Sequence, residues 1–113
     1  MISNAKRGAY WKARSKCYLE RQGFDVADME LVRTVFTPAG MMIPTKRDQF
    51  GSDLAFLAKD VVVFVQVKGG VKPSKTLIRE AKRGFEPYRF PVCSRREVHI
   101  WRFRARHPEI VAC

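Results

Sequence analysis

Two apolar runs rich in β-branched residues, LAFLA at 54–58 and VVVFVQV at 61–67, are separated only by Lys59 and Asp60. Runs of that length and composition are strands, and two intervening residues make the tightest hairpin a chain can form. No other stretch constrains the fold as much, because so greasy a hairpin belongs inside a sheet that helices cover. Its register follows from arithmetic. With Lys59 and Asp60 as the turn, Ala58 faces Val61, Phe56 faces Val63, and Asp53 faces Gln66; a symmetric four-residue turn gives the same pairing. Opposed side chains leave one face with Cβ atoms about 5 Å apart. Lys68, two residues beyond Gln66, points to that face roughly 7 Å further along. Three polar groups are therefore expected to meet at one end of an apolar hairpin. On spacing alone, a strand running out into solvent is the commoner origin of such a trio.

The rest of the chain supplies the cover. Residues 4–22 read as a helix, with Ser3 or Asn4 as its cap and Gly23 placed to end it. Tyr10, Ala13 and Cys17 recur at helical spacing and form its expected apolar stripe. Residues 24–36 read as extended, 37–40 (TPAG) as a turn, and 41–43 as the return of a hairpin arm before Pro44. Gly69-Gly70 breaks the strand at 61–67. Ser74 can cap a helix over 75–83 whose core side uses Leu77, Ile78 and Ala81, and Gly84 can close it. Residues 97–103 form a last strand. The order α-β-β-β-β-α-β, with no repeat or linker, predicts a single α/β domain over 1–113 with a mixed sheet flanked by helices.

At 113 residues there is room for one core, and an apolar fraction of 46% is enough to fold it. Twenty-two Lys and Arg against eleven acids give a formal charge of +11. Such an excess repels itself unless a polyanion is bound, so nucleic acid is the expected partner. No stretch approaches the ~20 apolar residues of a membrane span, so no membrane partner is expected. The basic N-terminus is not followed by the hydrophobic segment of a signal peptide. Cys17, Cys93 and Cys113 are odd in number and scattered, and His99 and His107 do not stand at zinc spacing beside them. A reducing cytoplasm is the expected setting.

The chemistry that uses Asp53, Gln66 and Lys68 together is phosphodiester hydrolysis. A carboxylate and an amide oxygen can hold a hard ion such as Mg²⁺, which prefers oxygen ligands and keeps several waters. The Val67 carbonyl lies between the two side chains and could add a ligand. A bound ion polarises the phosphate and acidifies the attacking water, and Lys68 could orient that water or stabilise charge in the transition state. Basic residues of the first helix (Lys6, Arg7, Lys12, Arg14) and of the expected rim (Lys46, Arg47, Lys72, Lys75) are candidate phosphate contacts. Tyr10, Trp11 and Trp101 could stack on bases, although aromatic residues at such spacings more often belong to a core.

At these residues the sequence resembles the PD-(D/E)XK nuclease superfamily, and within it the archaeal-type Holliday junction resolvases with their phage and bacterial relatives. KRGAYWKARSKCYLERQGFDV at 6–26 resembles that group's opening helix and its exit into the first strand. RDQFGSDLAFLAKDVVVFVQVKGG at 47–70 resembles its metal-binding hairpin, and RREVHIWRFRARHPEIV at 95–111 is similar to the tail of small members. The resemblance implies a restriction-endonuclease-like domain, cleavage of branched DNA with Mg²⁺ or Mn²⁺, and a homodimer in a bacterial, archaeal or phage-infected cell. It gives Asp53 the part of the metal-binding Asp, Gln66 that of the second acidic ligand, and Lys68 that of the catalytic Lys. The chain departs from the family in three places. Gln66 stands where Glu is usual, Lys12 where the opening helix carries Glu, and Ser52 where Pro precedes the Asp. Glu20, Glu30 and Asp48 are the carboxylates available as substitutes. Asp48, five residues before Asp53, would face the other way in a plain strand, but Gly51 permits a bulge. Two other readings of the chain are a non-catalytic DNA-binding module on the same fold and a small basic RNA-binding protein.

Overall fold

The computed structural model describes residues 4–69, 75–102 and 104–113, and the side chains of all of these except 4–7, 33, 45 and 46. The caps expected at Ser3 and Ser74, and Phe103 of the last strand, lie outside the described residues. The elements run α1 (Asn4–Arg21), β1 (Asp25–Asp28), β2 (Glu30–Phe36), β3 (Met42–Asp48), β4 (Leu54–Leu57), β5 (Val62–Gly69), α2 (Lys75–Arg83), β6 (Ser94–Trp101) and β7 (Glu109–Ala112). A five-stranded sheet has the order β1-β4-β5-β6-β7, and β2-β3 form a separate two-stranded arm. Only β5 and β6, joined through α2, are parallel, so the sheet is mixed.

The register of the central hairpin agrees with the arithmetic: Phe56 pairs with Val63 and Leu54 with Val65, and the Ala58 N–H donates to Val61 O at 2.9 Å across the turn. Alternation then assigns the two faces of the sheet. Val63 and Val65 pack with Leu19 of α1, Leu54 and Phe56 on one side. Phe64 packs on the other side with Ala81 of α2, Phe85, Val98 and Ile100. The helices thus lie on opposite faces.

Three features differ from the sequence reading. The extended stretch 24–36 is bent at Met29, so its first part pairs with β4 and its second with β3. Met29 holds both neighbours at the bend, giving its N–H to Asp53 O and accepting from the Gln49 N–H, at 3.0 and 2.9 Å. An additional strand, β7, completes the sheet's edge. Finally, Tyr10, Ala13 and Cys17 do not face the core. Trp11, Ser15 and Leu19 do, because the buried Trp101 needs an acceptor for its indole N–H and finds Ser15 Oγ at 2.6 Å. The end of α1 is as expected: Gly23, at φ 91°, closes a Schellman turn in which the Phe24 N–H reaches Leu19 O.

Candidate metal and phosphate site

A cavity of about 370 Å³ opens at the end of the central hairpin, lined by Lys12, Glu30, Asp48, Asp53, Gln66, Val67 and Lys68 together with the N-terminal part of α1. The three groups expected to converge do so. Two further carboxylates join them, and the backbone explains why.

The segment from β3 to β4 is itself a two-residue hairpin. Gln49 bridges Ser52, whose N–H donates to Gln49 O at 3.0 Å. The two central residues, Phe50 and Gly51, have φ of 54° and 69°, the left-handed pair of a type I′ turn. Continuing the pairing outward by one residue sets Asp48 opposite Asp53. A plain strand would have pointed Asp48 away; the turn brings it back to the same side. Phe at the first central position hides this turn from sequence reading, since Asn, Asp or Gly is usual there. Its ring is held against Phe64 and Tyr88. Gly51 is required twice over, by its φ and because a Cβ there would run into the Gly84 carbonyl.

Asp53 does not simply continue the ladder. Its N–H donates to Val65 O at 2.8 Å, sharing that partner with the Leu54 position, so the strand bulges here. The bulge turns the carboxylate across the strand end, where Oδ2 accepts the Val67 N–H at 2.8 Å. Burial pushes the Asp53 carboxyl up to about 6; the Val67 N–H opposes this, the charge and hydrogen bond of Asp48 reinforce it, and the Lys68 amine opposes it. Two carboxyls whose charges oppose each other in this way favour a proton or a cation between them.

Gln66 has two duties. Its Nε2 donates to Gly51 O at 2.6 Å and so braces the turn that carries both aspartates. That bond fixes the amide's orientation and leaves Oε1 buried with no hydrogen-bond partner.

Lys12, at the position where the resembled helix carries Glu, is turned inward. It bonds Glu30 at 2.5 Å and Asp28 at 3.0 Å. Burial alone would lower its pKa, but the hydrogen bonds and charges of Glu30 and Asp28 outweigh that and raise it. Burial would raise Asp28, and the Glu30 N–H with the charges of Lys12 and Lys16 brings it down instead. Asp28 was not singled out from sequence. The available signal was two acids at alternate positions of an extended run, which share a face, opposite a basic helix.

The candidate phosphate contacts fare differently. Arg47 and Lys75 are exposed. Arg14 is half-buried and donates to Ala105 O at 2.9 Å. Lys72 lies outside the described residues, as do the side chains of Lys6, Arg7 and Lys46. Among the described residues no three His, Cys, Asp or Glu side chains form a ready-made metal cage, and no helix is long and apolar enough to cross a membrane. No family model and no curated protein matches the chain.

Proposed function

We propose that this chain is a metal-dependent endodeoxyribonuclease of the PD-(D/E)XK type, with a restriction-endonuclease-like domain that acts on branched or otherwise structured DNA. One observation supports the reading above the rest: Asp48 and Asp53 line one open cavity with Gln66, Val67 and Lys68, where burial and the nearby Asp48 charge hold the Asp53 carboxyl above its ordinary range. Mg²⁺ sites characteristically use one or two carboxylates, with water and substrate phosphate completing the shell. Such a donor set fits the residues present better than a closed cage would. Asp48, Asp53, Gln66 Oε1 and the Val67 carbonyl would hold the ion. The chemistry it supplies when bound is polarisation of the phosphate and a lowered pKa for the attacking water.

The chain's own groups do the remaining work. The Val67 N–H fixes the Asp53 carboxylate, and the Gln66 brace fixes the turn that presents Asp48. Lys68, beside Asp53, is placed to contact a phosphate oxygen and stabilise charge as it develops. Lys12, neutralised by Asp28 and Glu30, keeps α1 docked against the base of the arm. Opposed cuts in two strands need two such sites, and a two-fold dimer is the simplest way to supply them.

A second reading, a catalytically attenuated DNA-binding protein on this fold, is favoured by the same Lys12 ion pairs and by Gln66 in place of an acid. One experiment separates the two. Labelled four-way junction, duplex and single strand are incubated with Mg²⁺, with Mn²⁺ and with chelator. Cleavage of the junction that chelator stops and Asp53→Asn removes supports the nuclease. Binding without cleavage under every condition supports the attenuated module.

A further inference from the structure

The face of α1 that misses the core has its own cavity. It measures about 610 Å³ and lies between α1 and the segment that links β6 to β7. The core-facing seam of half-buried Trp11 and buried Ser15 and Leu19 separates it from the Asp53 site on the helix's other flank. Its walls are aromatic: Tyr10, 56% exposed, and the exposed His107 stand at its mouth, with Tyr18 and the buried Trp101 behind. Among the described residues its charges are all positive, from Arg14, Arg21 and Arg106, and no Asp or Glu lines it. The Arg14 guanidinium lies over the Trp101 ring at 4.5 Å and is tethered by its bond to Ala105 O.

We propose that this cavity binds an unpaired nucleotide of a DNA strand, the base stacking on Tyr10 and His107 and the flanking phosphates meeting Arg21 and Arg106. Three arguments converge. The volume is that of a small-ligand pocket. Aromatic faces and guanidinium planes are the surfaces on which splayed bases stack, and every base has such a face to offer. A pocket with three cations and no anion has no internal partner for its charge, whereas Lys12 on the other flank is matched by acids. The proposal rests on the nuclease reading only for the class of ligand, and it deepens that reading. An enzyme that holds one unpaired nucleotide beside its cleavage site selects DNA with disrupted pairing over continuous duplex. The plain alternative is that the aromatic cluster merely pins residues 105–107 to α1.

Cys17 lines this cavity and is exposed, while the equally exposed Cys93 and Cys113 lie outside it. Alkylation of the three thiols, read by peptide mass without any divalent ion, therefore reports occupancy independently of cleavage. A short single strand should slow modification of Cys17 and leave Cys93 and Cys113 unchanged. An abasic strand of the same phosphate count, a duplex, and a free deoxynucleoside monophosphate should each protect Cys17 far less. Equal protection by the abasic strand or the duplex overturns the proposal in favour of a merely electrostatic contact. Protection by the mononucleotide as strong as by the strand assigns the pocket to a free nucleotide and overturns the strand reading. No protection by anything leaves the pinning role. Tyr10→Ala should weaken single-strand binding roughly tenfold without changing duplex binding or the melting temperature, and Tyr10→Phe should restore it. Loss of single-strand and duplex binding in equal measure would count against stacking. None of these results depends on whether the Asp53 site cleaves.

Discussion

The two antiparallel hairpins, β4–β5 and β2–β3, are built from similar residues and live in opposite environments. In the first, Leu54, Val63 and Val65 are at most 2% exposed, between a helix on one face and a helix on the other. In the second, Phe36, Met41 and Met42 are 64–69% exposed at the tip, and the register Val35–Ile43 and Phe36–Met42 makes both faces of the ribbon apolar there. An isolated two-stranded ribbon is marginal in water. What fixes this one is its base, where Met29 bonds both Gln49 and Asp53 and where Lys12 holds Glu30. The site sits at that junction for a physical reason. Buried hairpin on one side gives Asp53 enough desolvation to raise its pKa; the open arm on the other keeps the cavity accessible.

If the junction is the working part, the largest effects fall there. Asp53→Asn and Lys68→Ala should each abolish cleavage while changing DNA affinity by less than about threefold, under 1 kcal/mol. Met42→Ser at the arm tip should leave the rate per bound substrate intact. Gel assays at saturating protein measure both, and wild-type rates in either junction variant would remove the assignment.

The two turns offer the next test, since the same substitution can be made in each. Gly51 and Gly40 both have positive φ, 69° and 80°. Around Gly40 there is open space, so Gly40→Ala should lose only the left-handed backbone penalty, about 1–2 kcal/mol. Gly51→Ala adds a collision with the Gly84 carbonyl, which that backbone cannot relieve by turning a side chain. A total loss of about 2–5 kcal/mol follows from adding overpacking to the same penalty. Denaturant melts of the pair decide it. Equal losses would mean the junction turn is no more tightly held than the arm's.

Titration sharpens the comparison further, because the raised carboxyl described above belongs to the junction. Asp53 binds its proton more tightly folded, at about 6, than in its ordinary state at 3.8. Without divalent ions, its contribution is therefore most favourable below about pH 4, declines as pH rises from there to about 6, and is level above. The loss is on the order of 3 kcal/mol at 1.36 kcal/mol per pKa unit. Asp53→Asn should then be more stable than the wild type at pH 7, with the advantage gone below pH 4. Adding Mn²⁺ to the wild type should recover part of the difference. A wild-type advantage at pH 7 without ions would show that the carboxylate is stabilised as the anion.

Gln66 tests whether the strand end is a ligand position or a brace. Gln66→Glu supplies the acid usual in the resembled family but removes the donor to Gly51 O and adds negative charge beside Asp53. Loss of a buried hydrogen bond and like-charge opposition both destabilise, by about 1–3 kcal/mol together. Calorimetric titration should nonetheless record tighter Mn²⁺ binding, since ligand charge governs affinity. Lower stability with unchanged metal binding would leave Gln66 only its structural duty.

How much of this was legible depended on whether the information was local. The register of β4–β5 followed from two residues between two apolar runs, and α2 from the helical spacing of Ile78 and Ala81, which pack in the core; Gly84, expected to close that helix, does not take a positive φ. Asp53, Gln66, Val67 and Lys68 were placed together by that register alone. Asp48 was reachable only through the freedom of Gly51; the expected bulge is instead a two-residue turn, which also needs Phe50 in a left-handed backbone, its ring against Phe64 and Tyr88. The α1 core face was misread for a similar reason: Ser15 is polar, and nothing local says that it lies beneath Trp101. Lys12 looked like a phosphate contact until the bend at Met29 put Asp28 and Glu30 beneath it. In each case a long-range partner overrode a local preference.

The smallest effect expected is the one that most directly probes the comparison. Phe36, a large aromatic residue, would cost about 3–5 kcal/mol to truncate if it were in a core. At 69% exposed it buries little, so Phe36→Ser should change stability by less than about 0.5 kcal/mol, the usual range for surface positions. Val65→Ala, which removes far less volume from a position with no exposure, should cost more, about 2 kcal/mol on transfer and cavity grounds. The ranking is the reverse of what side-chain size alone gives. Both variants are measured by denaturant unfolding at low and high protein concentration. If Phe36→Ser costs more than Val65→Ala, and the gap widens with concentration, the arm tip is covered in solution by a second copy. The exposed hairpin would then be the more heavily packed of the two, and the contrast drawn from the single chain would fail.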